Sequence, residues 1–147
     1  MKYRLIQKAE LDKLLLLYQH LNPHDPQVDK DTYMDVWRQF MDDPKISCIV
    51  AEEDGILIAS CTLIIVPNLT RGGRPYGLIE NVVTHADYRN RGIGKQILHY
   101  ALDLAWKEDS YKVMLLTSRK DEKIMQFYES AGFLRGVKTG FVAKPEV

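Results

Sequence analysis

Arg89-Asn90-Arg91-Gly92-Ile93-Gly94-Lys95 stands between two stretches of different periodicity. Before it, Leu78-Ile79-Glu80-Asn81-Val82-Val83-Thr84 is apolar and partly β-branched and reads as a strand. After it, Ile93, Ile97, Ala101, Leu104 and Ala105 recur at the spacing of one helical face. A loop that carries Gly92, Gly94 and the cations Arg89, Arg91 and Lys95 into a helix start suits an anion. The first N–H groups of a helix point outward unpaired, the helix dipole adds positive charge, and glycine lets a ligand come close. Flanking arginines add charge-assisted bonds to the same anion. The stretch therefore predicts a pyrophosphate site.

Two common phosphate loops do not fit. A dinucleotide fingerprint needs a third glycine where this chain has Ile97, and a P-loop needs Ser or Thr where it has Gln96. The remaining pattern, R-x-x-G-x-G over Arg89 to Gly94, resembles the coenzyme A pyrophosphate loop of the GNAT N-acetyltransferase superfamily. Downstream, Phe127-Tyr128-Glu129-Ser130-Ala131-Gly132-Phe133 is similar to the F-Y-x-x-x-G-F signature that closes the core of those proteins. It follows an apolar run, Val113-Met114-Leu115-Leu116, that reads as a buried strand. One helix and one strand fit between the motifs. The likeness spans roughly residues 3 to 142, and its specific signal lies between 78 and 133.

The resemblance implies an α/β (α+β) fold: a mixed, mostly antiparallel sheet flanked by helices, in the order β-α-α-β-β-β-α-β-α-β. It implies acetyl-CoA as donor and direct attack by a primary amine in a ternary complex. Backbone groups of Val82, Val83 and Thr84 would hold the pantetheine arm. Arg89, Asn90, Arg91, Gly92, Ile93, Gly94 and Lys95 would hold the pyrophosphate. Tyr128 takes the position of the family's tyrosine beside the sulfur. A phenol can protonate a thiolate whose intrinsic pKa is near about 8.5, by analogy with cysteine. The structural alternative for Tyr128 is a half-buried helix residue spaced with Ile124 and Ala131.

Glu80 is the candidate base, acting directly or through water. Strand alternation predicts that its side chain shares a face with Val82. An unpaired carboxylate inside an apolar strand is expensive, which favours a functional or a paired role for it. The alternatives are a structural bond by Glu80, and His85 as base or as a polar turn residue. Gly77 to Val83 is similar to the G-x-I-E-D-V-V stretch of glucosamine-6-phosphate N-acetyltransferases, and Tyr111-Lys112-Val113 to their Y-K-I. Asn81 stands where those enzymes have an acid, and Ser118-Arg119-Lys120-Asp121 departs from their pattern. A small-molecule amine is the expected acceptor. The alternatives are a protein or peptide amine, or a non-catalytic acyl-CoA-binding or regulatory module of the same fold.

The 147 residues contain 20 Lys plus Arg and 20 Asp plus Glu, a balance that argues against a nucleic-acid binder relying on net charge. No N-terminal signal pattern, membrane-length apolar run, repeat or linker is visible, so a single cytoplasmic domain over 1–147 is expected. Family analogy adds a possible homodimer. No Cys/His spacing suggests a metal site.

Periodicity predicts strands at 3–7, 46–51, 56–66 and 111–117, helices at 11–21, 31–41 and about 121–131, and a last strand pair within 133–143. Tyr18, His20, Asn22, His24 and Asp25 gather at the break between the first helices, which in the superfamily overhangs the acceptor. There Asp25 could pair with a cationic amine, and Arg71 or Arg74 with a phosphate or carboxylate. The competing reading is turn-making and loop decoration. A two-residue turn at Asp54-Gly55 would set Cys48 opposite Cys61, where a disulfide would be strained; a reducing cytosol would leave free thiols, and a bulge would separate the pair.

Overall fold

In a computed structural model describing residues 1–146, five strands form one sheet in chain order. They are β1 (Lys2–Leu5), β2 (Ile46–Glu53), β3 (Ile56–Val66), β4 (Tyr76–Thr84) and β5 (Val113–Leu115). The first four pair antiparallel, and β5 runs parallel to β4. The helices are α1 (Leu11–Tyr18), α2 (Lys30–Asp42), α3 (Ile93–Lys107) and α4 (Glu122–Ser130).

Alternation along the strands feeds two cores, one on each face of the sheet. Ile49 and Ala51 of β2 pack with Ile58, Leu63, Ile79 and the α3 residues Ile93, Ile97, Leu98 and Ala101. Cys48 and Val50 point the other way, to Leu14 and Leu17 of α1 and Trp37 of α2. The apolar stripe predicted for α3 is thus the stripe it buries. Asp29 caps α2 by accepting from the Thr32 N–H at 2.9 Å, satisfying one of the unpaired first-turn donors. Trp37 stays buried because its Nε1–H donates to Lys8 O at 2.8 Å. Arg4 ties β1 to β2 and to the turn before α1, donating to Glu10 at 2.8 and 2.9 Å and to Glu52 at 2.6 Å.

Several boundaries differ from expectation. The first helix ends at Tyr18 rather than at 21, because the N–H groups of Leu21 and Asn22 both turn back to Tyr18 O. Asp54-Gly55 does close the hairpin, but a bulge at Ala51/Glu52 moves the register by one. Cys48 therefore faces Thr62, Cys61 faces Ile49, and the two free thiols serve opposite cores. The expected last strand pair is absent: among the described residues, 133–146 form no strand. The neighbouring edge strand, β5, has only three residues and offers little backbone to pair with.

Candidate active site

β4 and β5 part company early. Their pairing covers Gly77–Ile79 against Val113–Leu115 and stops. Beyond it, β4 still pairs with β3 through Val83 and Thr84, so its outer edge is open over the segment that includes Val82, Val83 and Thr84. Those backbone groups can take an amide-bearing arm as an added strand would.

A bulge divides this segment. Ser60 and Thr62 of β3 are two residues apart, whereas their partners Val83 and Glu80 are three apart. The extra residue is absorbed at Asn81, whose φ of 53° is left-handed, a conformation that Asn tolerates better than most residues. Alternation fails across it. Val82 packs with the α3-side core, as Ile79 does, while Glu80 faces the α1–α2 side opposite Thr62. The expectation that Glu80 and Val82 share a face is therefore overturned. Glu80 is also exposed, so the desolvation argument for its role falls away. It follows directly on Ile79, the last β4 residue paired with β5.

The Arg89–Lys95 loop leads into α3 at the helix start that the sequence predicts. Asn90 at φ 62° and Gly92 at φ 75° turn the chain, and Gly92 caps α3. The Gln96 N–H donates to Gly92 O at 3.2 Å, which leaves the Ile93, Gly94 and Lys95 N–H groups as the free donors of the first turn. A Cβ on Gly92 would meet nothing within 4 Å, whereas one on Gly94 would lie 3.0 Å from the Phe127 ring and 3.3 Å from Thr84 Oγ1. Gly92 thus serves the turn, and Gly94 lets α3 approach α4 and β4. Arg89 donates to Thr84 O at 3.1 Å and to His20 O at 3.2 Å, and Arg91 donates to Asp87 O at 2.9 Å. Arg89, Arg91 and Lys95 flank or adjoin these donors in sequence, a set of groups that suits a pyrophosphate.

Tyr128 stands on the α3 side of the sheet, 4.9 Å from the Phe127 ring and 6.3 Å from Phe133. Burial, reinforced by Cys61 and opposed by Arg119, pushes its phenol above the usual value, so it keeps its proton. Phe127 packs in the core beside it.

The break after α1 borders a groove of about 1000 Å³ lined by Asp12, Tyr18, Asn22, Asp25, Gln27 and Tyr33, among others. His20 turns away from it. Its ring lies 4.0 Å from that of His85, and its Nδ1 accepts from the Ala86 N–H at 3.3 Å. Arg71 and Arg74 precede the start of β4, whose middle residue is Glu80. Arg74 bonds to Asp109 and to Ser110 O, and Arg71 stacks over Tyr111. Both side chains are exposed and engage neighbouring residues of the chain.

The chain matches the model of the Acetyltransferase (GNAT) family over residues 14–133. A glucosamine 6-phosphate N-acetyltransferase of Trypanosoma brucei brucei is 33% identical over 135 residues, covering 90% of this chain and 88% of that protein. A provisionally assigned acetyltransferase of Agrobacterium tumefaciens str. C58, a solved structure, is 43% identical at a TM-score of 0.93, covering 99% of this chain and 100% of that one. A Bacillus halodurans C-125 structure described as a transcriptional regulator is 22% identical at a TM-score of 0.85, over 97% of this chain and 99% of its own; it shares the fold alone. With its open β4 edge and free α3 donors, the chain belongs to the GNAT acetyltransferase family and is an acetyl-CoA-dependent N-acetyltransferase.

Proposed function

We propose that this protein acetylates the primary amine of a small molecule, with glucosamine 6-phosphate as the first acceptor to test. The open outer edge of β4, leading into the free N–H groups of α3, carries the reading. Val82, Val83 and Thr84 hold the pantetheine arm through backbone groups, and Arg89 to Lys95 hold the pyrophosphate. Bound there, acetyl-CoA supplies a thioester carbonyl open to attack by a neutral amine. Glu80 takes the proton from the acceptor's ammonium, directly or through one water, on the α1–α2 side of the sheet. Tyr128 gives its hydroxyl proton to the sulfur as the carbon–sulfur bond breaks, on the other side. The second proton of the attacking nitrogen leaves as the amide forms, and the phenolate regains a proton from solvent. The likeness of Gly77 to Val83 to the amino-sugar enzymes and the Trypanosoma relative favour a sugar amine. Two buried free thiols suit a reducing cytoplasm, and no helix among the described residues is long and apolar enough to cross a membrane.

The test is thiol release from acetyl-CoA with glucosamine 6-phosphate, glucosamine, polyamines, aminoglycosides and a lysine peptide, with hydrolysis subtracted. Turnover concentrated on the amino sugars is expected, and turnover on the peptide alone would move the acceptor class to proteins. Thermal stabilisation by acetyl-CoA without any turnover would replace the enzyme reading with an acyl-CoA-binding module.

A further inference from the structure

Ser118-Arg119-Lys120-Asp121, the stretch that departs from the amino-sugar pattern, joins β5 to α4. β5 ends at Leu115, its last residue paired with β4, so this stretch leaves the sheet where the two strands separate. Side chains build the turn. The Arg119 N–H donates to Thr117 Oγ1 at 3.2 Å, and Asp121 caps α4 by accepting from the Ile124 N–H at 3.0 Å. The other Asp121 oxygen faces the Arg119 guanidinium at 3.4 Å. A cation at a helix N-terminus works against the helix dipole, and Asp121 offsets that conflict. Asp121, Ile124 and Tyr128 recur at spacings of three and four on one face of α4, with Asp121 two turns, about 10 Å, before Tyr128. The Arg119 charge reaches the phenol, where it opposes the upward push of burial and of Cys61.

We propose that Arg119 acts through Tyr128 in the transfer step: tethered by Asp121 on the Tyr128 face of α4, its guanidinium stabilises the negative charge that passes from the leaving sulfur to the phenol oxygen. The inference rests on the reading of Tyr128 as proton donor to the sulfur. As the carbon–sulfur bond breaks, its electron pair goes to sulfur, the phenol proton follows, and solvent later reprotonates the phenolate. That proton moves uphill. An ordinary phenol has a pKa of about 10 and a thiol about 8.5, a bias of about 30-fold against the transfer. Burial of Tyr128 adds to it. A fixed cation stabilises thiolate and phenolate alike, so it helps wherever along the transfer the charge sits. Arginine suits the task because it stays charged at every working pH. The Arg119 side chain is 65% exposed, so water and salt screen it and its effect is smaller than that of a buried donor.

The probe is coenzyme A itself, whose thiolate absorbs in the ultraviolet where the thiol does not. Its thiol is titrated while bound to the wild type, Arg119→Gln, Arg119→Lys and Asp121→Asn, with the absorbance of the protein alone subtracted. Thermal stabilisation by coenzyme A is the control for folding and binding. Arg119→Gln should raise the pH at which the bound thiol ionises, and Arg119→Lys should restore it. Asp121→Asn, which keeps a capping oxygen and loses the opposing charge, should lower it. In turnover, Arg119→Gln should lower kcat about 10-fold with KM for acetyl-CoA unchanged, less than the loss of about 10²–10³ for a buried oxyanion donor because an exposed cation is screened. In a Tyr128→Phe background that loss should largely vanish, since residues acting as one unit are not additive. A bound thiol that ionises at the same pH in the wild type and Arg119→Gln would overturn the proposal. So would a loss confined to KM that disappears with the acetyl thioester of dephospho-coenzyme A, which would make Arg119 a contact of the 3′-phosphate. Unchanged kcat in Tyr128→Phe removes the donor reading and the proposal together, whereas a slow Tyr128→Phe beside an unaffected Arg119→Gln removes the proposal alone.

Discussion

Tyr128 and Glu80 show how differently two residues of one motif set depend on their surroundings. Tyr128 keeps a proton because its ring is sunk among Phe127, Phe133 and the α3-side core. Tyr128→Phe removes only the hydroxyl, so packing should survive. The expected outcome is a fall in kcat of about 10²–10⁴-fold, the range for loss of a general acid, with acetyl-CoA stabilisation unchanged. Pre-steady-state thiol release would check it, and undiminished release when chemistry limits the rate would remove Tyr128 from that role. The position of Tyr128 was legible from the F-Y-x-x-x-G-F pattern. The environment of Glu80 was not. Its neighbours Ile79 and Val82 read as continuous strand, yet Asn81 steps out of the strand conformation and leaves Glu80 exposed on the face opposite Val82.

At the scale of elements, the anion loop is also a junction. Arg89, part of the loop, donates to His20 O at the end of the first helical segment, and His20 Nδ1 accepts from Ala86 N–H in return. His85 Nδ1 accepts from the Asp87 N–H at 3.2 Å, so in both of these adjacent, tilted rings Nδ1 is a hydrogen-bond acceptor. Burial first, then His85 and Arg89, hold the His20 pKa below its ordinary value, with Asp87 opposing. A depressed imidazole pKa means that the folded chain binds its proton later than the unfolded chain. Its contribution is therefore complete above about pH 6.5, the free-imidazole value, and is lost as pH falls from there through the lowered folded value. Thermal melts at about pH 7 and pH 5, spanning the imidazole titration, should show the wild type losing stability. His20→Asn, whose side-chain oxygen can accept the same bond, should lose less. Equal losses would show that His20 does not contribute to the acid response.

Over the whole molecule, the segment after α4 carries an uncovered apolar series: Leu134, Val137, Phe141 and Val142 are 82%, 69%, 90% and 73% exposed. Leu116, just past the open edge strand β5, is 62% exposed. An unpaired strand edge beside exposed apolar side chains favours association. The expected state in solution is a homodimer, twice the 17.0 kDa of the chain, and Phe141→Asp should shift it toward monomer. Sedimentation equilibrium checks both, and a wild type that stays monomeric at micromolar concentration would refute the dimer.

The strand, the anion loop and the helix around Arg89 to Gly94 were determined by the sequence itself. Each rests on short-range physics: periodic burial, glycine at positive φ, and unpaired donors at a helix start. Gly94's contact with Phe127, the separation of Cys48 from Cys61 and the outward turn of Glu80 were decided only by the tertiary structure. All three depend on register and packing between segments far apart in the chain. A one-residue bulge, at Glu52 or at Asn81, reverses which face a side chain meets, and local composition does not record it.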